Sequence, residues 1–371
     1  MALRPNETRS GGLLRLPGEP GWAIALAGVF VVWSPAALEA GWWLLLGLAV
    51  AAVMAALGVL ADARGEVHDG PTAEWLGVAG RSLGASAIAL TAADSVVDAS
   101  ARPVAVLLLV LITLFVLRGG VLRPRFAALL GGLVVLLLLA AAVIVLLSPP
   151  VTPASEVIIG GPEGTATAAA FLLFLFAPTV SGDTPTVARG ILGVVVTAVT
   201  AALVGAGLLL LIGPGALAEA TTPLRAAVAG TAAGPLVAIA AVLAGVLALV
   251  ALIRRDASAL VRLADAGEIP HPIARRDRRT GVPAAGQLVV CLVSVLAVVI
   301  LDADALLAFA VGAALVALIV RRLDGGGAAA RWPAIVTSTG ALLLLLALPA
   351  ATAAAVAILL AGLLIVRAFR R

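Results

Sequence analysis

Two carboxylates stand in an otherwise apolar part of the chain. Asp94 and Asp98 are four positions apart, and Thr91 precedes Asp94 by about one helical turn, so a helix would place all three on one face. An ionisable side chain inside a membrane is costly and is by default a hypothesis about function. For Asp98 the alternative is a surface ion pair with Arg102, four positions later. Asp94 lies deeper in the apolar stretch, and we predict it as a proton carrier.

Two other apolar segments are interrupted by proline and small residues. Gly28 precedes Pro35 in one of them, and Pro178 precedes Gly182 in the other. Proline removes a backbone donor, and within lipid such breaks survive only where protein or a cavity satisfies the freed groups. The prolines are 143 positions apart, as are the segment starts at 22 and 165. This repeat indicates paired broken helices, as in transporters built from inverted repeats; alternatively, each proline simply ends a helix near the membrane surface.

The composition identifies the elements that must hold these residues. Hydrophobic residues make up 63% of the 371 positions and charged residues 12%, against about half and a quarter in soluble domains. The apolar runs are long enough to cross a bilayer as helices. We therefore predict an all-α polytopic membrane protein with about twelve transmembrane helices. The predicted spans are 22–38, 41–61, 84–101, 103–118, 125–147, 165–181, 189–212, 228–253, 284–301, 304–320, 332–348 and 350–366.

The arginines orient these spans. With the N-terminus inside, 21 of the 24 arginines fall on the cytoplasmic side, Arg81 lies at the inner approach to the third span, and only Arg102 and Arg225 fall outside. The positive-inside rule therefore favours twelve spans with both termini in the cytoplasm. Because the arginines lie at segment ends, topology explains the net charge of +4 better than nucleic-acid binding does. The polar first 20 residues predict a cytoplasmic tail rather than a signal peptide, and we expect a bacterial cytoplasmic membrane.

Catalytic and metal-binding patterns are absent from the sequence. His68 and His271 fall in predicted loops, and Cys291 stands alone in an apolar run. No glycine-rich phosphate loop follows a strand, so we expect no enzyme activity, no cofactor, no metal site and no ATP-driven transport by this chain alone. Residues 235–253 carry no side-chain oxygen, which argues against a sodium site in that span. Residues 126–147 carry no side-chain oxygen and no basic group, which argues against a lysine proton site there.

Several stretches resemble the amino acid–polyamine–organocation (APC) superfamily of secondary transporters. Residues 27–30, AGVF, are similar to the end of the family's Gly-x-Gly-Ile-Phe signature, with Leu26 in place of its first glycine. Residues 254–283 resemble the family's eighth helix and the Arg-rich cytoplasmic stretch that follows it. Within them, GEIP at 267–270 and TGVP at 280–283 occupy the places of two family turns.

The resemblance implies two inverted repeats of five helices followed by two further helices, and transport of an amino acid or small amine by alternating access. The implied divisions are the tail 1–20, the first repeat 21–147, an external loop 148–164, the second repeat 165–322 with its cytoplasmic loop 254–283, and 323–371. The implied substrate site has a phenylalanine as gate, although each phenylalanine alone could instead face lipid or serve packing. Its residues are Ala27, Gly28, Val29, Phe174, Phe176, Ala177, Pro178, Thr179 and Ser181.

Two alternatives stay open. Residues 58–65, GVLADARG, also resemble a loop motif of major facilitator transporters. In that family the long cytoplasmic loop follows the sixth span, whereas here it follows the eighth, which favours the APC interpretation. The other alternative is a degenerate relative that moves nothing or serves as a membrane partner subunit. The replacement by Leu26, the short first span and the compressed sixth span favour it. The sequence predicts no oligomeric state.

Overall fold

Helices are the only regular elements in the part of the chain that the structure describes. A computed structural model describes residues 21–64, 70–97, 101–147, 160–177, 186–275, 277, 279–324 and 331–368. The helices are α1 (Gly21–Val31), α2 (Trp33–Ala40), α3 (Leu44–Arg64), α4 (Pro71–Asp94), α5 (Ala101–Leu117), α6 (Pro124–Leu147), α7 (Thr165–Leu172), α8 (Val187–Glu219), α9 (Pro223–Ala227), α10 (Gly234–Asp265), α11 (His271–Ala274), α12 (Ala284–Ile300), α13 (Ala303–Asp324), α14 (Arg331–Ala347) and α15 (Ala350–Ala368). Short 3₁₀ turns lie at Gly41–Trp43, Pro162–Gly164 and Leu173–Phe176.

The predicted all-α polytopic fold is confirmed. Every predicted span coincides at least in part with helix. Six helices are long and apolar enough to cross a membrane alone, and a seventh span results if Ala334–Ala347 and Ala350–Ile358, which are bent by 117°, are counted together. Shorter apolar helices, such as Ala101–Leu117 and Ala284–Ile300, fill other predicted positions. The boundaries of the two five-helix repeats stay a prediction.

Two predicted span boundaries are wrong. The third span was expected at 84–101, but α4 runs from Pro71 to Asp94. Proline suits the first helical position, where the missing donor costs nothing. The eighth span was expected to end at 253, but α10 continues to Asp265. Charged residues expected in loops or at a helix approach, among them Glu74, Arg81 and Asp256, therefore lie on helices.

Helix α4 occupies the middle of the bundle and packs against α1, α5, α10, α12 and α13. Most of its residues are buried. By contrast, α6 and α8 expose large apolar side chains such as Leu129, Leu136, Leu203 and Leu210. An apolar surface of this kind is the one that a polytopic protein presents to lipid. The charged and polar groups that could do chemistry are therefore concentrated on α4 and the helices around it.

Small residues and hydroxyl groups set the close helix contacts. A Cβ added at Gly47 of α3 would lie 3.1 Å from the Ala168 Cβ of α7, and one at Gly80 of α4 would lie 3.2 Å from the backbone oxygen of Ala310 in α13. In addition, Ser86 of α4 donates to the Ser294 carbonyl of α12 over 3.0 Å. Apolar helices in lipid associate through such close packing and interhelical hydrogen bonds.

Candidate functional site

The break in the first span lies inside the protein. Helix α1 ends at Val31 and α2 begins at Trp33, so the chain bends at Val32 and stays helical to Ala40. Pro35 belongs to the first turn of α2, a position that tolerates proline. It does not end the helix. The Ser34 hydroxyl donates to the backbone carbonyl of Ala218 over 2.8 Å, which ties the bend to the end of α8.

The Trp33 side chain next to this bend is fully buried. A Cβ at Gly205 of α8 would lie 2.7 Å from its ring. The indole fits because that position has no side chain. A bend held by a buried tryptophan and a hydrogen bond is a packed feature of the bundle rather than a helix end near its surface.

The break in the sixth span is a change of helix type. Helix α7 ends at Leu172, and a 3₁₀ turn follows at Leu173–Phe176. A short 3₁₀ stretch inside a helix often marks a hinge or strain. Phe174 and Phe176 are 8% and 0% exposed, so both pack inside the protein and neither faces lipid. Ala177 is half-buried. The predicted site residues Pro178, Thr179 and Ser181 lie outside the described residues.

Helix α1, before its bend, contacts the 3₁₀ turn of the sixth span. A Cβ added at Gly28 of α1 would lie 3.0 Å from Leu175 Cδ2 and 3.4 Å from Phe174 Cδ1. The neighbouring Ala27 and Val29 are buried as well. The structure therefore brings together the described residues of the two interrupted segments, although they are far apart in sequence.

The Phe174 ring fills the junction of three helices. A Cβ at Gly84 of α4 would lie 2.9 Å from its Cε2 atom and 3.8 Å from the Ala310 Cβ of α13. The ring thus lies between glycines of the first and third spans. In this conformation the Phe174 ring fills the space between α1 and α4 next to the 3₁₀ turn. The side chains there are apolar, so polar recognition would depend on backbone groups near the breaks.

Asp94 lies away from this junction. It is the last residue of α4 and is half-buried. Its backbone carbonyl accepts a hydrogen bond from the Arg225 guanidinium over 3.3 Å. Ten residues separate it from Gly84 on the same helix, which is about 15 Å along the axis. Asp98, the other candidate carboxylate, lies outside the described residues.

Three ion pairs that the sequence did not predict join the helices at one end of the bundle. Arg81 Nε lies 2.7 Å from Asp256 Oδ1, linking α4 to α10. Glu74 and Arg262 link the same helices through an Nη2–Oε1 distance of 2.5 Å. A third pair joins Asp62 of α3 to Arg322 of α13.

In this third pair the Arg322 Nη1 atom lies 2.6 Å from Asp62 Oδ1. Arg322 also donates to the Gly58 carbonyl over 3.0 Å. In each pair one partner comes from the first predicted repeat and the other from the second. Asp256 is the most enclosed member, with a side chain that is 1% exposed. The sequence did hold a signal for these longer helices, because helical spacing continues through Glu74, Arg81 and Asp256. Their charges lower the local hydropathy, so a hydropathy profile ends the helices too early.

The described residues offer no obvious metal centre. They contain no group of three or more His, Cys, Asp or Glu side chains that could hold a metal ion. Cys291 is half-buried on α12.

Comparison with known proteins supports the fold. No family model matches the chain, and a search of curated proteins finds no match. A mutant of the Eremococcus coleocola manganese transporter is similar in structure, with a TM-score of 0.52 and 14% sequence identity over 94% of this chain and 91% of that one. The same transporter bound to an aromatic bis-isothiourea substituted compound gives 0.47 and 15% over the same shares. The first likeness shows a membrane transporter fold. It does not establish membership of the APC superfamily.

Proposed function

We propose that this chain is a secondary active transporter that carries an amino acid or a small amine by alternating access. The contact between α1 and the 3₁₀ turn of the sixth span supports this proposal most directly. Gly28 on α1 lies against Phe174 and Leu175 in the sixth span, and carriers bind their cargo where interrupted helices meet. The proposed site consists of Ala27, Gly28, Val29, Phe174, Phe176, Ala177, Pro178, Thr179 and Ser181.

An organic cargo suits the chemistry of the described site residues. The end of a helical segment can present free backbone carbonyls, which accept from an ammonium group, and its start can present N–H groups, which attract a carboxylate. In this conformation the Gly28 carbonyl accepts from the Val32 N–H over 3.1 Å, so opening would have to free it. The apolar side chains of Val29, Phe174 and Phe176 would enclose the carbon skeleton. Opening requires the Phe174 ring to leave its position between Gly28 and Gly84, so we assign this ring the role of gate.

Manganese is a second candidate cargo because the structural neighbour is a manganese transporter. Binding of Mn²⁺ favours carboxylate, carbonyl and water ligands, yet the described residues around the breaks contribute apolar side chains. We therefore rank an organic cargo first. Proton coupling through Asp94 belongs to the same proposal. So do a bacterial cytoplasmic membrane and cytoplasmic termini, of which the termini rest on the arginine distribution.

The proposal is tested with purified protein in proteoliposomes. A panel of labelled amino acids and amines is offered with and without an inward proton gradient, and a parallel sample with an entrapped dye reports Mn²⁺ entry. We expect at least one organic compound to enter faster than into protein-free liposomes. Flux of Mn²⁺ alone would overturn the cargo class but keep the carrier. No flux of any compound would overturn the carrier and favour the non-transporting alternative.

Variants then test the site. Gly28→Leu places a large side chain against Leu175 and Phe174 and should abolish uptake. Gly207→Leu on α8 is the matched control, since a Cβ there meets nothing within 4 Å, and should leave uptake unchanged. Equal uptake by both variants would move the site elsewhere. Asp94→Asn should remove the stimulation by a proton gradient, and unchanged stimulation would exclude Asp94 as the carrier.

A further inference from the structure

Three separate stretches of the chain meet at one corner of the bundle. They are residues 118–125 at the α5–α6 connection, Arg254 on α10 and the described loop residues 275, 277 and 279–282. Arg254 Nη1 donates to the Gly120 carbonyl of the turn over 3.3 Å. A Cβ added at Gly119 would lie 3.4 Å from Thr280 Cγ2 of the loop. These contacts fix the three stretches side by side, and we call them together the arginine corner.

The arginine corner carries a concentrated positive charge. Its described arginines are all exposed: Arg118, Arg123, Arg125, Arg254, Arg275 and Arg279. The described acid within these stretches is Asp277. Its carboxylate already accepts from the backbone N–H and the hydroxyl of Thr280, over 3.2 and 3.0 Å. An excess of unneutralised guanidinium groups therefore remains at this corner.

Other arginines at this end of the bundle are arranged differently. Arg81, Arg262 and Arg322 each form an ion pair with a carboxylate of a neighbouring helix. Those three serve packing between helices. Topology alone predicts arginines on this side of the membrane, but it does not predict that six of them meet in one place while their neighbours are neutralised. The difference indicates that the arginine corner faces a negative partner outside the protein.

The corner lies where an exposed apolar surface begins. Helix α6 starts beside Arg125 and exposes Phe126 by 52% and Leu129 by 71%. Helix α12 starts just after the loop and exposes Leu288 by 52% and Leu292 by 59%. A lipid whose acyl chains lie on these faces would hold its headgroup level with the arginines. Guanidinium groups suit phosphate oxygens because they can form two parallel hydrogen bonds.

We infer that the arginine corner binds the headgroup of an anionic phospholipid. The acyl chains would lie against the exposed faces of α6 and α12, which a free phosphate ion could not use. Clusters of four to eight basic residues at a membrane surface attract anionic lipids in this way. This inference goes beyond transport and does not depend on the cargo.

Lipid binding is tested on the full chain in detergent micelles with added phosphatidylglycerol or phosphatidylcholine. Native mass spectrometry counts the bound lipids, and the thermal unfolding temperature gives an independent readout. We expect phosphatidylglycerol to bind on the order of tenfold more tightly than phosphatidylcholine. This preference should shrink as NaCl rises from 50 to 500 mM, because salt screens exposed charges. A preference that does not respond to salt would overturn the inference even without any variant.

A triple variant locates the site. Arg118→Gln, Arg123→Gln and Arg125→Gln together should lower phosphatidylglycerol binding several-fold. The matching triple change to lysine keeps the charge and should retain most of it. Arg189→Gln removes an exposed arginine at the start of α8, outside the corner, and should have no effect. Equal loss in the Arg189 variant, unchanged binding in the glutamine triple, or equally effective competition by inorganic phosphate would each contradict a lipid site here.

Discussion

Replacement of Arg81 by methionine should destabilise the protein strongly. The change leaves the carboxylate of Asp256 inside the bundle, where it is 1% exposed and loses the cation that lay 2.7 Å away. Removing one partner of a buried ion pair costs about 3–5 kcal/mol. Arg255 also acts electrostatically on this carboxylate, so we expect the lower end, about 3 kcal/mol. Replacing both charged residues, as in Arg81→Met with Asp256→Leu, should recover most of the loss because no uncompensated charge remains.

The control for this prediction lies two turns earlier on the same helix. Glu74→Gln also breaks a pair between α4 and α10, but its partner Arg262 is 58% exposed and can be hydrated. The Glu74 side chain is 6% exposed, but Glu74→Gln leaves no buried charge behind. The loss should therefore stay close to that of an exposed pair, about 0–1 kcal/mol. Tryptophan fluorescence during chemical unfolding in detergent ranks the variants. An Arg81→Met protein that unfolds like the wild type would contradict the cost assigned to the buried charge. So would a double variant that is as unstable as Arg81→Met alone.

Three further predictions concern the breaks and the helix packing, and all are measured by thermal unfolding in detergent. Gly84→Ala should cost about 1–3 kcal/mol through overpacking, because its Cβ would lie 2.9 Å from Phe174. The control Gly132→Ala, whose Cβ would meet nothing within 4 Å, should be neutral or gain up to about 1 kcal/mol of stability. Similar losses in both variants would contradict the close contact at Gly84. Ser34→Ala should cost about 1 kcal/mol by removing a 2.8 Å hydrogen bond between helices; an unchanged unfolding temperature would show that this bond contributes nothing. Gly213→Ala should cost about 1–3 kcal/mol, since φ of 76° and ψ of 165° suit glycine alone, and a wild-type stability would contradict that backbone conformation.

Much of the fold could be predicted because the bilayer imposes it on the sequence. Apolar runs of the required length have no stable alternative to helices in lipid. A bend in the first span was also readable, because proline and glycine act on the local backbone whatever surrounds them. The break predicted at Pro178 lies outside the described residues. Gly28 lies against Phe174 and Leu175, and the joint substrate site stays a prediction.

The location of individual side chains was less accessible. Phe174 and Phe176 could have faced lipid or protein, since phenylalanine suits both, and only packing against Gly28 and Gly84 distinguishes these cases. The position of Asp94 depended on which residues its helix covers. Because α4 covers Pro71–Asp94 instead of 84–101, Asp94 stands at the helix end rather than deep in the span. Such a shift moves every side chain along the membrane normal and changes the depth at which a carboxylate lies.

The all-helical membrane architecture and its apolar segments follow from the sequence alone. Local hydropathy and local backbone chemistry suffice for these features. Which charges lie inside the bundle depends on the tertiary structure. Arg81 and Asp256 are 175 positions apart, and each alone would be too costly to bury. Each is tolerated because the other lies beside it, and no pattern within either helix contains that information.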